Sequence, residues 1–408
     1  MLTKTLRYAL VSSLALFGNA GTSPAFPFSR SGTDIVDGSG NKMDLACVNW
    51  PGHMEVNLPE GLQHQTMQDI VDKIASSGAY NCVRLTYAVE LFSKSNMTAR
   101  ESFEQADVDV DMTGFIDDVT QHNPNVIDMK LPEVFQKLAI TLGEAGISTI
   151  MSNHISKAGW CCSEDDGNGW FNDVYFNVQE WNDSLASMAK LMIGIPSVIG
   201  LDLRNELRNS LGLSRSTQVS EFMKYTPEAI RSIQSTNPAV LTLVSGLSYD
   251  NDLKFIDEAD ASERAEFDSV LSEFSSKIIF EGHIYSWSPF GDVPIDGADC
   301  SSLSFDDMLG WSYKNGFPMI LSEIGWNIDS YAGDDKTWIN CVRDFILDHN
   351  LSHAMWLLGG DYYARDGTLN HPDSFGLLVD DWSEWKDEDV LAKNMEMKWM
   401  QSAVEEKE

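Results

Sequence analysis

The chain has 408 residues, 43% of them hydrophobic, and its 28 basic and 62 acidic residues give a formal net charge of −34. With 12 Trp and 19 Phe there is ample material for a folded core, which excludes a disordered chain. The negative charge would repel polyanions, so it argues against nucleic acid or acidic lipid as a partner and suits a neutral ligand. A solvated acidic surface would account for the same excess.

The N-terminus has the layout of a secretory signal peptide. Lys4 and Arg7 precede an apolar run from Ala9 to Phe17, and small residues follow up to Ala20. The run is too short to span a bilayer. We therefore predict a signal peptide over residues 1–20, a secreted, extracellular mature chain over residues 21–408, and no membrane span. An N-terminal helix of the fold is the alternative.

Eight short apolar runs follow, and each opens onto a polar or aromatic residue. They predict strands over Leu45–Trp50, Asn81–Tyr87, Ser148–Asn153, Val198–Asn205, Leu241–Gly246, Ile278–Tyr285, Pro318–Glu323 and Ala354–Gly359. Apolar residues at helical spacing predict the intervening helices, which are Gln65–Ser76, Leu131–Ala145, Val178–Ile193, Ser220–Ser235, Phe305–Asn315 and Lys336–Asp348.

This alternation predicts a parallel sheet, which eight strands close most economically into a barrel. A doubly wound open sheet is the alternative, but it would gather functional residues at one switch point. Here they stand at the carboxyl end of nearly every strand, as in a barrel. The sequence therefore predicts an α/β fold, a single-domain (β/α)8 TIM barrel with long β/α loops, in which residues 88–129 are an insertion after the second strand.

Two of the predicted strands lead into a glutamate. The fourth leads into Asn205-Glu206, and the seventh ends in Glu323. Hydrolysis of a glycosidic bond needs one carboxyl group to protonate the leaving oxygen and a second to attack or to activate water. Opposite strand ends of a barrel can supply this pair. Taken alone, Asn205-Glu206 could equally cap a helix.

These residues resemble the clan of barrel glycosidases whose acid/base and nucleophile close strands four and seven, and most closely glycoside hydrolase family 5. The resemblance implies that Glu206 is the acid/base, that Glu323 is the nucleophile and that Asn205 binds the sugar 2-hydroxyl. Further matched positions imply substrate-binding or supporting roles for Arg84, His154, His283, Tyr285 and Trp356. In isolation Arg84 could form a barrel ion pair, His154 and His283 could be interior histidines, and Trp356 could belong to the core. These alternatives leave the common place of the residues at strand ends unexplained.

The resemblance implies a retaining β-glycoside hydrolase that acts by double displacement. Glu206 would stay protonated in a partly apolar site beside the charge of Glu323, and Arg84 would hold Glu323 ionised. We predict an endo-β-1,4-glucanase, monomeric, with a neutral β-linked polysaccharide as substrate, no cofactor and no metal. A mannanase, a β-1,3-glucanase, a glycosylceramidase and, from another class, a non-catalytic carbohydrate-binding barrel are the alternatives.

Tryptophan faces can bind the apolar faces of sugars. The candidates for such platforms are Trp50, Trp160, Trp170, Trp287 and Trp326, of which one or two are expected to be loop packing.

Export permits disulfide bonds among the six cysteines. We predict that Cys161 and Cys162 are oxidised, either to each other or to a partner such as Cys300. Cys47 and Cys82 begin neighbouring strands and either pair or simply pack.

Overall fold

The computed structural model of the protein describes residues 24–106, 110–286, 300, 303, 305–329 and 334–387. The predicted signal peptide and Trp287 lie outside these residues. Among the described helices, none combines the length and apolar character that crossing a bilayer requires.

Eight parallel strands form a closed barrel, as the sequence predicts. A short antiparallel hairpin, β1 (Ser29–Ser31) and β2 (Asp34–Val36), precedes it. The last barrel strand pairs with the first and closes the sheet. In chain order the barrel strands are β3 (Ala46–Trp50), β4 (Cys82–Ala88), β5 (Ser148–Ile155), β6 (Val198–Asp202), β7 (Leu241–Val244), β8 (Ile278–Tyr285), β9 (Met319–Gly325) and β10 (Ser352–Met355).

Helices connect the strands on the outside of the barrel. They are α1 (Met67–Ser77), α2 (Glu90–Ser93), α3 (Ala99–Glu104), α4 (Gly114–His122), α5 (Leu131–Glu144), α6 (Val178–Leu191), α7 (Arg215–Thr236), α8 (Ala261–Glu273), α9 (Phe305–Leu309), α10 (Trp311–Lys314) and α11 (Asp334–His349). Helix α1 shows the local logic: the Thr66 side chain caps its start, Ile70 and Ile74 are buried on one face, and Gly78 ends it in the left-handed conformation.

Some predicted boundaries are wrong. The fourth strand, predicted to end at Asn205, ends at Asp202, and the eighth, predicted over Ala354–Gly359, is Ser352–Met355. At the barrel rim, polar and apolar residues continue the pattern of the strand into the loop, which hides the strand end in the sequence. The predicted helix over Phe305–Asn315 is two short helices separated by Gly310, a poor helix former. Helix α8 was not predicted, because its few buried residues give it little apolar periodicity.

The barrel interior is filled by small and aliphatic side chains from all eight strands, such as Cys47, Leu241 and Ile320. Phe28 and Ile35 pack on this cluster, so the β1–β2 hairpin covers the amino-terminal end of the barrel. The loops that follow the strands lie at the opposite, carboxyl-terminal end of the barrel.

Two loop elements build up the carboxyl-terminal rim. Residues 88–129 contain α2, α3 and α4, as expected of an insertion after the second strand. A hairpin of β11 (Asp361–Arg365) and β12 (Thr368–Pro372) follows the last barrel strand. Phe103 and Phe115 of the insertion contact Tyr363 of the hairpin edge-on, which joins the two elements.

All six cysteines form disulfides. Cys161 pairs with Cys162, which confirms the predicted oxidation, whereas Cys300 pairs with Cys341. Cys47 and Cys82 are register partners on β3 and β4 and are bonded to each other.

Candidate active site

The residues matched at strand ends converge on one cavity of about 560 Å³ at the carboxyl-terminal rim. The barrel positions them because the carboxyl ends of all its strands open onto the same rim. Five of them line the cavity directly: His154, Glu206, Tyr285, Glu323 and Trp356. Arg84, Asn205 and His283 lie behind these side chains and are almost completely buried.

Both oxygens of Glu323 are held by hydrogen bonds. Arg84 Nη1 donates to Oε1 at 2.8 Å, and the Tyr285 hydroxyl donates to Oε2 at 2.5 Å. Burial raises the pKa of Glu323, and electrostatic interactions with His283 and Arg84 oppose that rise. Arg84 thus lowers the pKa of Glu323, as the sequence analysis expects, but the effect of burial on this pKa is larger.

Arg84 is fully buried and connects Glu323 to its neighbours. Its Nη2 lies 2.8 Å from Asp202 Oδ2 and 3.8 Å from Glu281 Oε2, and it donates to Asn205 Oδ1 at 2.9 Å. Burial alone would lower its pKa, but the carboxylates of Asp202, Glu281 and Glu323 raise it above its ordinary value. Arg84 therefore carries a permanent positive charge inside the site.

Glu206 lies just beyond β6 in a left-handed backbone conformation, with φ 48°. Its backbone N–H donates to Asp250 Oδ2 at 2.8 Å, and its Oε1 lies 2.9 Å from His283 Nδ1. Burial raises the pKa of Glu206 to about 7. The positive charges of Arg208 and Arg84 act to lower this pKa, and the negative charge of Asp166 acts to raise it. Burial, rather than the charge of Glu323, thus keeps this carboxyl group protonated near neutrality.

The two carboxyl groups are close together. One carboxylate oxygen of Glu206, one of Glu323 and a ring nitrogen of His283 all lie within 4.8 Å of one another. Burial lowers the pKa of His283 to about 4, so the imidazole between the two glutamates is neutral at pH 7. The same three side chains are of metal-binding types, but both Glu323 oxygens already accept hydrogen bonds, and the cationic Arg84 opposes a further cation.

An aromatic stack forms one side of the cavity. The rings of His154 and Trp356 are nearly parallel, 8° apart with centroids at 5.3 Å, and the His53 ring centroid lies 4.0 Å from that of His154 and 6.5 Å from that of Trp356. Burial, followed by the electrostatic interaction with His53, lowers the pKa of His154 well below its ordinary value. Burial also lowers the pKa of His53 to about 3, so both imidazoles are neutral at pH 7, and Trp356 lines the cavity beside them.

Three of the predicted tryptophan platforms are wrong. Trp50, Trp170 and Trp326 are 0% exposed, so none can offer a ring face to a glycan. The Trp50 indole donates to Glu60 O at 3.0 Å, and the Trp170 indole donates to Glu221 Oε2 at 2.5 Å. All three rings are internal packing, and the indole N–H groups of Trp50 and Trp170 are satisfied by hydrogen bonds.

Trp160 does line the cavity, together with residues that the sequence interpretation missed. The Arg365 guanidinium stands 3.4 Å above its ring, and Arg365 Nη1 donates to Asp373 Oδ2 at 3.2 Å. The cavity is also lined by Tyr249, Asn251, Ser374 and Phe375. The sequence analysis makes no prediction for the hairpin that follows the last barrel strand, although its Tyr-Tyr-Ala-Arg run is typical of a strand.

Comparison with known proteins agrees with this geometry. The model of the family "Cellulase (glycosyl hydrolase family 5)" matches residues 36–361. A glycosyl hydrolase 5 family protein from Chamaecyparis obtusa is 31% identical over 401 residues, covering 95% of this chain and 69% of the relative. An endoglucanase from Paenibacillus polymyxa is 25% identical over 386 residues, covering 90% and 87%.

Among solved structures, a complex of the endocellulase from Pyrococcus horikoshii with cellotetraose has a similar fold. Its TM-score is 0.68 at 18% identity, over 92% of this chain and 99% of that one. The match of the family model to most of the chain, with the barrel and the paired glutamates, shows that the protein is a glycoside hydrolase that belongs to glycosyl hydrolase family 5.

Proposed function

We propose that the protein is a secreted, retaining endo-β-1,4-glucanase in which Glu206 is the acid/base and Glu323 the nucleophile. The observation that carries the proposal is the pair of carboxyl oxygens within 4.8 Å of each other. Retaining glycosidases hold their carboxyl groups about 5–5.5 Å apart, whereas inverting enzymes leave about 6.5–9.5 Å for a water molecule. Direct attack by a carboxylate suits the shorter separation.

In the first step Glu323 attacks the anomeric carbon and forms a carboxylate ester to the sugar. The bond from that carbon to the leaving oxygen breaks, and Glu206 donates its proton to this oxygen. Arg84 and Tyr285 hold the two Glu323 oxygens, which keeps the attacking carboxylate in one orientation.

In the second step Glu206, now ionised, removes a proton from water as the water attacks the anomeric carbon. The ester bond breaks, and Glu323 returns to its carboxylate form. A pKa of about 7 for Glu206 suits both halves of this cycle, because a group near neutrality can give and take a proton.

A β-glucan substrate is favoured by the relatives. One related protein is named an endoglucanase, and the solved structure of similar fold holds cellotetraose. The net charge of −34 suits a neutral glycan, and Trp160 and Trp356 line the cavity where a sugar ring would stack.

Secretion and a monomeric state belong to the same proposal. The three disulfides suit an oxidising compartment, and the sequence of residues 1–20 has a leader's layout.

Replacing each glutamate with alanine and adding azide tests the assignment. In Glu206→Ala the nucleophile remains, so an aryl β-cellobioside with a good leaving group should still form the glycosyl-enzyme, and azide should release it as the β-glycosyl azide. In Glu323→Ala azide should take the place of the missing carboxylate and give the α-product. On cello-oligosaccharide each variant should lose at least about a hundredfold in kcat/KM.

Glu258→Ala is the control, because Glu258 is an exposed carboxylate that pairs with Arg215. It should keep wild-type activity and give no glycosyl azide. The assignment is wrong if the azide products appear the other way round. Wild-type protein that binds cello-oligosaccharide without cleaving it would instead be a carbohydrate-binding barrel.

A further inference from the structure

The disulfide between Cys161 and Cys162 forms part of the cavity wall. Both residues line the cavity that holds Glu206 and Glu323. Both sulfur atoms and a Glu206 carboxylate oxygen lie within 4.8 Å of one another. The disulfide therefore adjoins the reacting groups, although no step of the proposed mechanism uses it.

The side of the disulfide away from the cavity is fixed by packing. Cys161 is 6% exposed and clusters with Ala88 and Ile155, at the ends of β4 and β5, and Ala158 and Cys162 pack on the same cluster. A bonded pair of adjacent residues on such a support has little freedom to move. The front of the pair faces Asn205 and the cavity.

Asn205 is held from two sides. Its Oδ1 accepts a hydrogen bond from Arg84 Nη2 at 2.9 Å. Its Nδ2 lies 3.9 Å from the Cys161 sulfur and 3.7 Å from the Cys162 sulfur, within range of weak N–H···S hydrogen bonds. Arg84 and the disulfide together fix which end of the amide carries the oxygen and where the two N–H groups point.

We propose that the Cys161–Cys162 disulfide is a positioning element for Asn205 and makes the enzyme sensitive to dithiols. This rests on the proposed function, in which Asn205 binds the 2-hydroxyl of the sugar at the cleavage point. An external dithiol supplies two electrons and two protons, the S–S bond breaks to give two thiols, and the dithiol closes into its own disulfide. Each thiol then turns independently, and the Asn205 amide loses its fixed neighbour.

Contacts to the sugar 2-hydroxyl strengthen in the transition state of glycoside hydrolysis. Loss of the disulfide should therefore lower kcat/KM for 4-nitrophenyl β-cellobioside by about three- to tenfold, the equivalent of one weakened hydrogen bond. An analogue that carries hydrogen in place of the 2-hydroxyl on the aryl-bearing sugar cannot make this contact. Its kcat/KM should change by less than about twofold.

The experiment compares the oxidised protein with the same protein after dithiothreitol, with mass spectrometry of alkylated peptides to show which pair is reduced. Cys161→Ser/Cys162→Ser should start at the reduced level and respond no further. The matched control, Cys300→Ser/Cys341→Ser, lacks a different disulfide and should respond to dithiothreitol as the wild type does.

The outcomes separate the two proposals. If oxidised wild type does not cleave the aryl cellobioside, the proposed function fails. If it cleaves the substrate and reduction of Cys161–Cys162 leaves kcat/KM unchanged, the positioning role is wrong. An equal loss on the 2-hydroxy and 2-deoxy substrates also overturns it, because it would mean that the disulfide supports the cavity as a whole and not Asn205.

Discussion

At the scale of single residues, the two central glutamates are the same side chain in different surroundings. Burial raises the pKa of both, but the oxygens of Glu323 are held by a cation and a phenol, whereas Glu206 faces a neutral imidazole. Donors of hydrogen bonds and positive charge favour an ionised carboxylate. The surroundings, rather than residue type, would separate the proposed nucleophile, Glu323, from the proposed proton donor, Glu206.

This difference predicts the pH dependence of kcat/KM. Glu206 must be protonated to assist the leaving group, so kcat/KM should fall tenfold per pH unit as pH rises above about 7. Glu323 must be ionised, and because burial raises its pKa, the acidic limb should lie above the ordinary carboxyl range. The profile is measured on cellotetraose, whose leaving group needs acid assistance. In Glu206→Ala the alkaline limb should disappear; its persistence would assign that limb to another group.

The sequence could predict that the site residues lie together, because a parallel barrel brings the carboxyl ends of all its strands to one rim. It could not tell exposed rings from buried ones. Trp326 directly follows β9, yet it packs against Trp338, whereas Trp160 stands in a loop and lines the cavity. The exposure of a ring depends on which other segments pack against it. For Trp160 this segment is the hairpin that carries Arg365, whose guanidinium lies over the ring.

At the scale of elements, the loop after β7 supports the end of β6. Asp250 accepts the Glu206 backbone N–H on Oδ2 at 2.8 Å and the Gly246 N–H on Oδ1 at 2.9 Å. It thus holds Glu206 in its left-handed conformation, which a non-glycine residue seldom adopts unaided. Nothing in the spacing of the sequence predicts this contact, because it joins two loops.

Asp250→Asn should therefore misplace Glu206, since one of the two backbone N–H groups would face an amide N–H₂ group. The loss should be about tenfold in kcat/KM on cellotetraose, whose leaving group needs acid assistance, and smaller on 4-nitrophenyl β-cellobioside. Asp252→Asn, in the same loop but bonded to Phe255 and Arg215, is the control and should show no such contrast between substrates. Equal losses on both substrates would contradict a positioning role.

At the scale of the whole molecule, the sequence was sufficient to predict the barrel but not its charge balance. Strand periodicity and eight polar strand ends define the architecture, yet both sides of each strand are buried, so the pattern cannot say which residues point inward. The result is a buried centre in which one cation, Arg84, faces the carboxyl groups of Asp202, Glu281 and Glu323. One positive charge cannot offset three negative charges, so part of this cluster retains protons.

Glu281 provides the test of that balance. It is 0% exposed, and burial, followed by the charge of Asp202, raises its pKa to about 8 against the opposing effect of Arg84. The folded protein therefore keeps a proton that the unfolded chain releases near the ordinary carboxyl pKa. The stability linked to this group is complete below that ordinary value and is lost as pH rises towards about 8.

Between these two pH values the folded protein holds one proton more than the unfolded chain. The free energy of unfolding therefore falls by about 1.4 kcal/mol for each unit by which the pH rises. Glu281→Gln carries no titrating proton, so its free energy of unfolding, measured by denaturant titration at a series of pH values, should fall less steeply than that of the wild type by this amount. At Glu258, where a hydrogen bond from Arg215 lowers the pKa, replacement with Gln should leave the slope unchanged in the same window. Parallel curves for wild type and Glu281→Gln would mean that Glu281 is already ionised in the folded protein, with Arg84 as its counterion.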